Sequence, residues 1–330
     1  MKSGMELSII IVNWKSADYL RKCLKSVYAG ISSLRCEIIV IDNASGDGCG
    51  EMLALEFPDV IFIASHKNLG FAGANNLAFE RSVGRYVLFL NPDTELLPGA
   101  LRELMDALDA SPAAALIGAQ LLNSDLSLQD SCIQRFPTIL NQLLDFEFLR
   151  KKLPPSDFFA TRPFHGQQNS IAEVDCVSGA CMLVKRELFS AVGMFSTRYF
   201  MYSEDVDLCY KIKLAGGKVY YAPRARVVHH GGRSSTLEPQ SHFATVVMRE
   251  SRWRFMTAWY GSAYAVAYRM TTAFGAVARI AMLGAAIAIT RNRERRLRFS
   301  GAVQKWAKVL RWSLGMESWA KQLEVKVQGA

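Results

Sequence analysis

Carboxylates stand at three places where a buried apolar run gives way to polar residues, and each suits a different chemistry. Asp93 lies in Asn91-Pro92-Asp93-Thr94, directly after the apolar run 86–90. A carboxylate in a tight turn at a strand end projects into a crevice, where a hard divalent cation bridging phosphates takes oxygen ligands. The same turn equally lets Asp93 and Thr94 cap the backbone or the next helix. Asp42 ends a second run, Val40-Ile41-Asp42-Asn43, where a carboxylate accepts hydrogen bonds from a nucleotide's base or ribose, or caps its own loop. Glu204-Asp205-Val206-Asp207 follows the aromatic run Tyr199-Phe200-Met201-Tyr202 and opens a helical pattern. The helix macrodipole favours acids there, and a carboxylate beside an aromatic wall also suits a general base aimed at a hydroxyl. Helical spacing turns successive residues by about 100°, so the three acids take different roles.

Other polar clusters fall at equivalent places. Asn13 follows the first apolar run, and Ser178-Gly179-Ala180 interrupts the run 174–184. The stretch from Asn68-Leu69-Gly70 to Asn76 is rich in small residues that let backbone approach a ligand. It carries neither the GxGxxG nor the GxxxxGK[ST] spacing, which argues against a dinucleotide or P-loop site. His229-His230-Gly231-Gly232-Arg233 ends a late strand, placing an imidazole and a guanidinium where a metal or phosphate can meet them. A hydrogen-bonded structural histidine is the plainer reading of His229.

The elements that must position these groups are legible from periodicity. Continuous apolar, β-branched runs at 7–12, 37–41, 60–64 and 86–90 alternate with helical patterns from 18, near 48–56 and at 73–82. That alternation describes a parallel sheet covered on both faces, with ligands at the carboxyl ends of its strands. A helix over 98–110 is predicted, with Pro98 in its first turn. Residues 123–170 are expected to form long loops around a short helix. A helix from 204 or 205 to 215 should end at Gly216-Gly217, followed by two short strands, 218–221 and 225–228.

The chain has 330 residues, 50% apolar and 21% charged, which excludes disordered and collagen-like classes. Its net charge of +9 is unevenly placed: residues 241–330 hold 15 Lys and Arg against 4 Asp and Glu, a net of +11, leaving −2 for residues 1–240. The basic end also holds five of the six Trp. Seven scattered Cys without CxxC spacing make neither a disulfide framework nor a zinc site, and they suit a reducing compartment. The N-terminal apolar run reaches Asn13 at once and reads as a strand, not a signal peptide.

In order, SIIIVNWKSADYLRKCLKS, IIVIDNASGDG, NLGFAGANN, YVLFLNPDTEL, VSGACMLVKRELF, FMYSEDVDLCYKIKLAGGKVYYAP and VVHHGGRSS resemble the inverting family 2 glycosyltransferases of GT-A fold, in their rhamnosyltransferase-like branch. The resemblance spans about residues 5–236. It implies an α/β domain, Rossmann-like, with a mostly parallel central sheet and helices on both faces, over 1–240; residues 241–330 read from their own composition and periodicity as a helical tail. It also implies a nucleotide-diphosphate sugar donor, with dTDP-rhamnose favoured over UDP- or GDP-sugars, and a divalent cation, Mg or Mn. Carried over by motif, Asn13 and Asp42 would bind base and ribose, with Asn68 and Gly70 lining the nucleotide site. Asp93 would hold the metal, with Asn91 where relatives often carry a first acid. Ser178, Gly179 and Ala180 would line the sugar and acceptor side, and Arg233 would contact substrate. Asp205 would be the general base, Glu204 would orient the acceptor, and His229 would close over diphosphate or metal. Ser196 and Lys211 depart from residues common in the family, which bears on sugar or acceptor choice.

The tail is predicted to lie on a membrane surface through residues 250–320, the alternative being a solvated helical tail that packs on the body or makes a dimer contact. Residues 270–290 are long enough to span a bilayer, but they are Ala-rich and carry Arg279 centrally, at a cost of about 2.5–3.5 kcal/mol on insertion. The run 291–298 carries five Arg, and Val303, Trp306, Ala307, Leu310 and Leu314 share one helical face beyond it. The acceptor implied is a lipid-linked or cell-surface glycan, and the enzyme is expected at the cytoplasmic face of the membrane. Nucleic acid is not expected as a partner, because the basic excess is confined to the tail and no nucleic-acid motif is present.

Overall fold

A computed structural model describes residues 4–31, 34–110, 113–144, 170–231 and 242–323. Its centre is a sheet of nine strands. In chain order they are β1 (Leu7–Asn13), β2 (Cys36–Asp42), β3 (Ile61–Ala64), β4 (Tyr86–Leu90), β5 (Thr94–Leu96), β6 (Ala114–Leu122), β8 (Ala172–Glu173), β10 (Cys181–Lys185) and β11 (Lys218–His229), while β7 (Ile133–Gln134) and β9 (Cys176–Val177) form a separate small ladder. The main order is β3-β2-β1-β4-β10-β6-β11-β5, with β8 beside β11. The first four strands are parallel, and β10 runs against both its neighbours.

The burial of β1 and β4 explains their unbroken apolar sequence. Ile9, Ile10, Ile11, Val87, Leu88 and Phe89 are all inaccessible, because helices cover both faces. The helices α1 (Ala17–Gly30), α2 (Cys49–Glu56) and α3 (Gly70–Arg81) supply that cover. α4 (Ala100–Asp109) begins after Gly99, so Pro98 lies outside its first turn. Gly99 has φ +81°, and this left-handed entry replaces the proline start read from sequence. The two short strands expected at 218–228 are one strand with an irregularity between Ala222 and Arg226.

The loops expected around 123–170 contain β7, a short helix α5 (Ile139–Leu143) and, further on, residues outside those described. α6 (Arg186–Ala191) and α7 (Glu204–Leu214) follow, then α8 (Phe243–Tyr260), α9 (Ser262–Ile289), α10 (Arg293–Ser313) and α11 (Trp319–Gln322).

α8 is fastened to the catalytic body. Val246, Val247, Phe255 and Met256 are buried, the Trp259 indole donates to Asp207 at 2.8 Å, and Ser251 donates to the Met201 carbonyl at 2.8 Å. Arg279, read from sequence as an obstacle to membrane insertion, faces protein. It donates to the carbonyls of Leu143 and Gly275 and lies 4.3 Å from the Trp306 ring centroid. α10 also turns one face into protein. Val309 and Trp312 are the buried residues, whereas Leu314 is exposed. Trp312 turns inward because its indole donates to buried Glu250 at 2.8 Å.

Candidate active site

The carboxyl ends of β1, β2 and β4, the turn before β10 and the start of α7 surround a cleft of about 450 Å³. Asn68, Gly70, Asn91, Asp93, Ser178, Gly179, Ala180, Glu204, Asp205 and His229 all line it. Ten positions spread over 160 residues of chain are thus brought together. Arg233 lies outside the described residues.

Asn13 and Asp42 do not line this cleft. Asn13 is inaccessible, and its amide nitrogen donates to Asp42, Ser45 and both oxygens of Asp47 at 3.0–3.2 Å. Its Oδ1 accepts from Ser16. Asp47 also accepts from the backbone amides of Ser16, Ala17 and Cys49. Partial burial raises the Asp47 carboxyl, but the Asn13 and backbone donors outweigh it and hold it below its ordinary range. Asp42, Asp47 and Cys49 present ligand atoms within 4.8 Å of one another. Those carboxylates already serve as the clasp joining the β2 loop to the start of α1, and burial pushes the Cys49 thiol up, away from the thiolate a metal would need.

Asn43 shapes the neighbouring wall. Its Oδ1 accepts from Leu69, and its amide nitrogen donates to Asn68 and to the Gly70 carbonyl. Asn68 in turn accepts from the Gly70 amide at 2.8 Å. Gly70 has φ +67°, and a Cβ there would stand 2.4 Å from the Phe200 carbonyl oxygen. Only glycine lets this loop approach the aromatic run so closely.

On the opposite wall, Asp93 is 6% exposed and its Oδ1 is 3.4 Å from His229 Nε2. Gln129 fixes that imidazole. Its amide nitrogen donates to the His229 carbonyl, so its Oε1, 3.0 Å from Nδ1, takes the ring proton. That leaves Nε2 as the ring nitrogen facing Asp93, the one a metal could take. A carboxylate and an imidazole nitrogen this close can share one divalent cation. His230 turns away, between Ser124 and Glu95.

The third wall carries the acids of α7. Tyr202 and Ser203 both hold positive φ, 69° and 66°, a sparsely populated backbone that aims the first turn of α7 into the cleft. Asp205 accepts from the Gly179 amide at 3.1 Å and from the Val206 amide at 2.8 Å. Burial nonetheless raises its carboxyl above the ordinary range. Glu204 is raised well above, first by burial and then by the charges of Asp205 and Asp207. Its Oε2 has no hydrogen-bond partner among the described residues. Asp207, expected to differ in role, does: it points away from the cleft and accepts from Tyr199 and Trp259.

Several cleft residues carried no sequence signal. Gln134 ends β7 and Arg135 directly follows it. Met248 and Arg252 come from α8, and both line the cleft. Their spacing of four on a helix is the one feature that could have grouped them.

The strand order, with the cleft at the carboxyl ends of the parallel strands, is that of a GT-A fold. A family model, "Glycosyl transferase family 2", matches residues 8–193, and the chain belongs to that family. It is 30% identical over 249 residues to the N-acetylglucosaminyl-diphospho-decaprenol L-rhamnosyltransferase of Mycobacterium tuberculosis, covering 72% of this chain and 80% of that one. It is 27% identical over 235 residues to the rhamnosyltransferase WbbL of Escherichia coli K12, covering 67% and 82%. Among solved structures, the mannosyltransferase PcManGT from Pyrobaculum calidifontis, in complex with GDP-Man and Mn2+, aligns with a TM-score of 0.59 at 17% identity over 96% of this chain and 88% of that one. GalNAc-T7 with UDP, GalNAc and Mn2+ aligns at 0.58 and 14% identity, over 97% and 57%.

Proposed function

We propose that this enzyme transfers rhamnose from dTDP-rhamnose to a hydroxyl of a lipid-linked or cell-surface glycan by a single displacement with inversion, using Asp205 as general base. The observation that carries this reading is the Asp205 carboxylate. Two backbone amides hold it at the cleft wall, and its raised proton affinity suits removal of a proton from an alcohol. As the acceptor oxygen bonds to the anomeric carbon, its proton passes to Asp205 and the bond to the diphosphate oxygen breaks. Attack from the face opposite the leaving group inverts the centre.

Glu204, held toward its protonated form by burial, donates a hydrogen bond that orients the acceptor. Asp93 and His229 would hold a divalent cation, with Asn91 alongside. When bound, such an ion offsets the negative charge of a diphosphate leaving group. Asn68 and Gly70 line the nucleotide side. Ser178, Gly179 and Ala180 line the sugar and acceptor side.

The rhamnosyl reading draws support from the two named relatives, and the lipid diphosphate acceptor from the first of them. A UDP- or GDP-sugar donor is the second reading, since both solved neighbours hold such nucleotides. A panel of nucleotide sugars, assayed with and without Mg or Mn and with the product's anomeric configuration determined, tests these statements. Inverted product from dTDP-rhamnose alone supports the first reading, and retained configuration refutes the displacement.

The tail favours placement at the inner face of the cell membrane. An 18-residue stretch of α9 has a mean hydropathy of 1.8. Its exposed side includes Met270, Phe274, Met282 and Ile289, and the Arg-rich start of α10 follows it. An apolar face beside clustered cations matches an element lying in an anionic lipid interface. Flotation with anionic vesicles is expected to carry the full chain, and Phe274→Glu with Met270→Glu is expected to leave it in solution.

A further inference from the structure

Helix α8 of the basic tail grips the backbone that aims the proposed base. Tyr202 and Ser203 hold left-handed φ of 69° and 66°, and such backbone persists only where its surroundings over-determine it. Much of that restraint comes from the tail. Ser251, 3% exposed, donates its hydroxyl to the Met201 carbonyl at 2.8 Å, and Arg254 donates to the Arg198 carbonyl at 2.6 Å. α3 adds the Phe71 amide, which donates to the Phe200 carbonyl at 3.2 Å. The Met201 carbonyl belongs to the peptide plane that ends at the Tyr202 nitrogen. Holding that oxygen fixes the plane, so the turn cannot relax by flipping this peptide.

The tail also holds the far side of the same helix start. Asp207, 1% exposed, accepts from the Trp259 indole at 2.8 Å and from the Tyr199 hydroxyl at 3.0 Å, with the Lys211 ammonium 3.5 Å away. The Asp207 amide donates to the Ser203 carbonyl at 2.9 Å, closing the turn that carries Glu204 and Asp205. α8 is itself held, since Val246, Val247, Phe255 and Met256 are buried and Glu250 accepts from Trp312. One fixed helix therefore restrains both ends of the stretch 201–207, whose middle carries two acids of the cleft. Misplacing a catalytic group by about 1 Å costs on the order of a hundredfold in rate.

We infer that Ser251 and Trp259 are positioning residues, through which the tail helix α8 holds Glu204 and Asp205 at the reacting geometry by way of the Met201 carbonyl and Asp207. This rests on the sugar-transfer reading above and deepens it. The tail then serves the chemistry directly, in addition to any contact with a membrane.

Full-length wild type, Ser251→Ala, Ser251→Thr, Trp259→Phe and the double variant Ser251→Ala with Trp259→Phe are compared for kcat, donor KM, dTDP affinity and thermal unfolding. Amide hydrogen exchange is followed over peptides spanning 198–208 and over the rest of the chain. Phenylalanine at 259 keeps a ring facing Tyr210, whose centroid lies 4.8 Å from that of Trp259, but has no N–H to donate. Each single loss of a donor should lower kcat about tenfold and the double loss about a hundredfold, with donor KM and dTDP affinity within about twofold of wild type. Exchange should quicken at 202–207 alone. Ser251→Thr, which keeps the hydroxyl, should restore kcat. Folded variants with wild-type kcat overturn the inference, whatever their exchange. So does a fall in kcat matched by equal losses of dTDP affinity and of protection throughout the chain, which marks a merely structural role. A folded Ser251→Thr as slow as Ser251→Ala overturns it as well. Should Ser251→Ala not fold, Trp259→Phe decides by the same criteria. Wild type that transfers no sugar from any nucleotide sugar would refute the transfer reading instead. Faster exchange at 202–207 in the variants would then support the clamp, and unchanged exchange would overturn it.

Discussion

Two acidic clusters have opposite character. Around the β2 loop, every carboxylate oxygen of Asp42 and Asp47 accepts at least one hydrogen bond, and Asp47 is held below its ordinary pKa range. At the start of α7, Glu204 Oε2 lacks a hydrogen-bond partner among the described residues. There Glu204 and Asp205 are raised, and two consecutive non-glycine residues hold positive φ. One cluster is a satisfied clasp that joins the β2 loop to the start of α1. The other retains unmet polar demand and backbone strain where bonds would be made and broken. Similar residue types therefore divide between stability and chemistry according to how many donors surround them.

That contrast can be broken at several points. Asp93→Ala should lower transfer by on the order of 10³-fold with little loss of thermal stability, since the residue serves the cleft and not the core. A matching fall in melting temperature would place Asp93 with the clasp instead. Gly70→Ala should destabilise by about 2–4 kcal/mol in denaturant titrations, because its Cβ would meet the Phe200 carbonyl at 2.4 Å in a left-handed backbone. An unchanged midpoint would show that the loop can move aside.

Asn13→Ala should cost about 1–3 kcal/mol of stability, because it strips donors from Asp42 and Asp47. Its direct effect on nucleotide affinity should be small in protein that remains folded. Strong loss of dTDP binding with an unchanged melting temperature would return Asn13 to the binding surface. The smallest effect concerns Glu204→Gln. Because the folded carboxyl is raised, the folded chain holds the proton that the unfolded chain has released once pH exceeds the ordinary carboxylate range. Stability from this site is present in acid and declines as pH rises. The variant should thus match wild type at low pH and melt higher near neutrality, in melts recorded across that range. A gain of equal size at every pH would contradict the raised carboxyl.

The parallel half of the sheet was legible because burial on both faces forces unbroken apolar runs at β1, β2 and β4. The cluster positions followed from strand ends. The direction of β10 was not legible, since an apolar run of five residues reads the same parallel or antiparallel. Asn13 looked like a ligand contact because its main partner, Asp47, lies 34 residues away. Gln129 belongs to no motif, and its hold on His229 Nδ1 exists only in three dimensions. The partners of the tail were not legible either. Arg279 was weighed against lipid, whereas protein carbonyls and Trp306 receive it.

The central claim is that Asp205 removes the acceptor proton. Its most direct test measures dTDP-rhamnose affinity and sugar transfer side by side for wild type and Asp205→Asn. The account predicts unchanged donor affinity with transfer reduced to background. Substantial turnover by Asp205→Asn, at undiminished donor affinity, would contradict it.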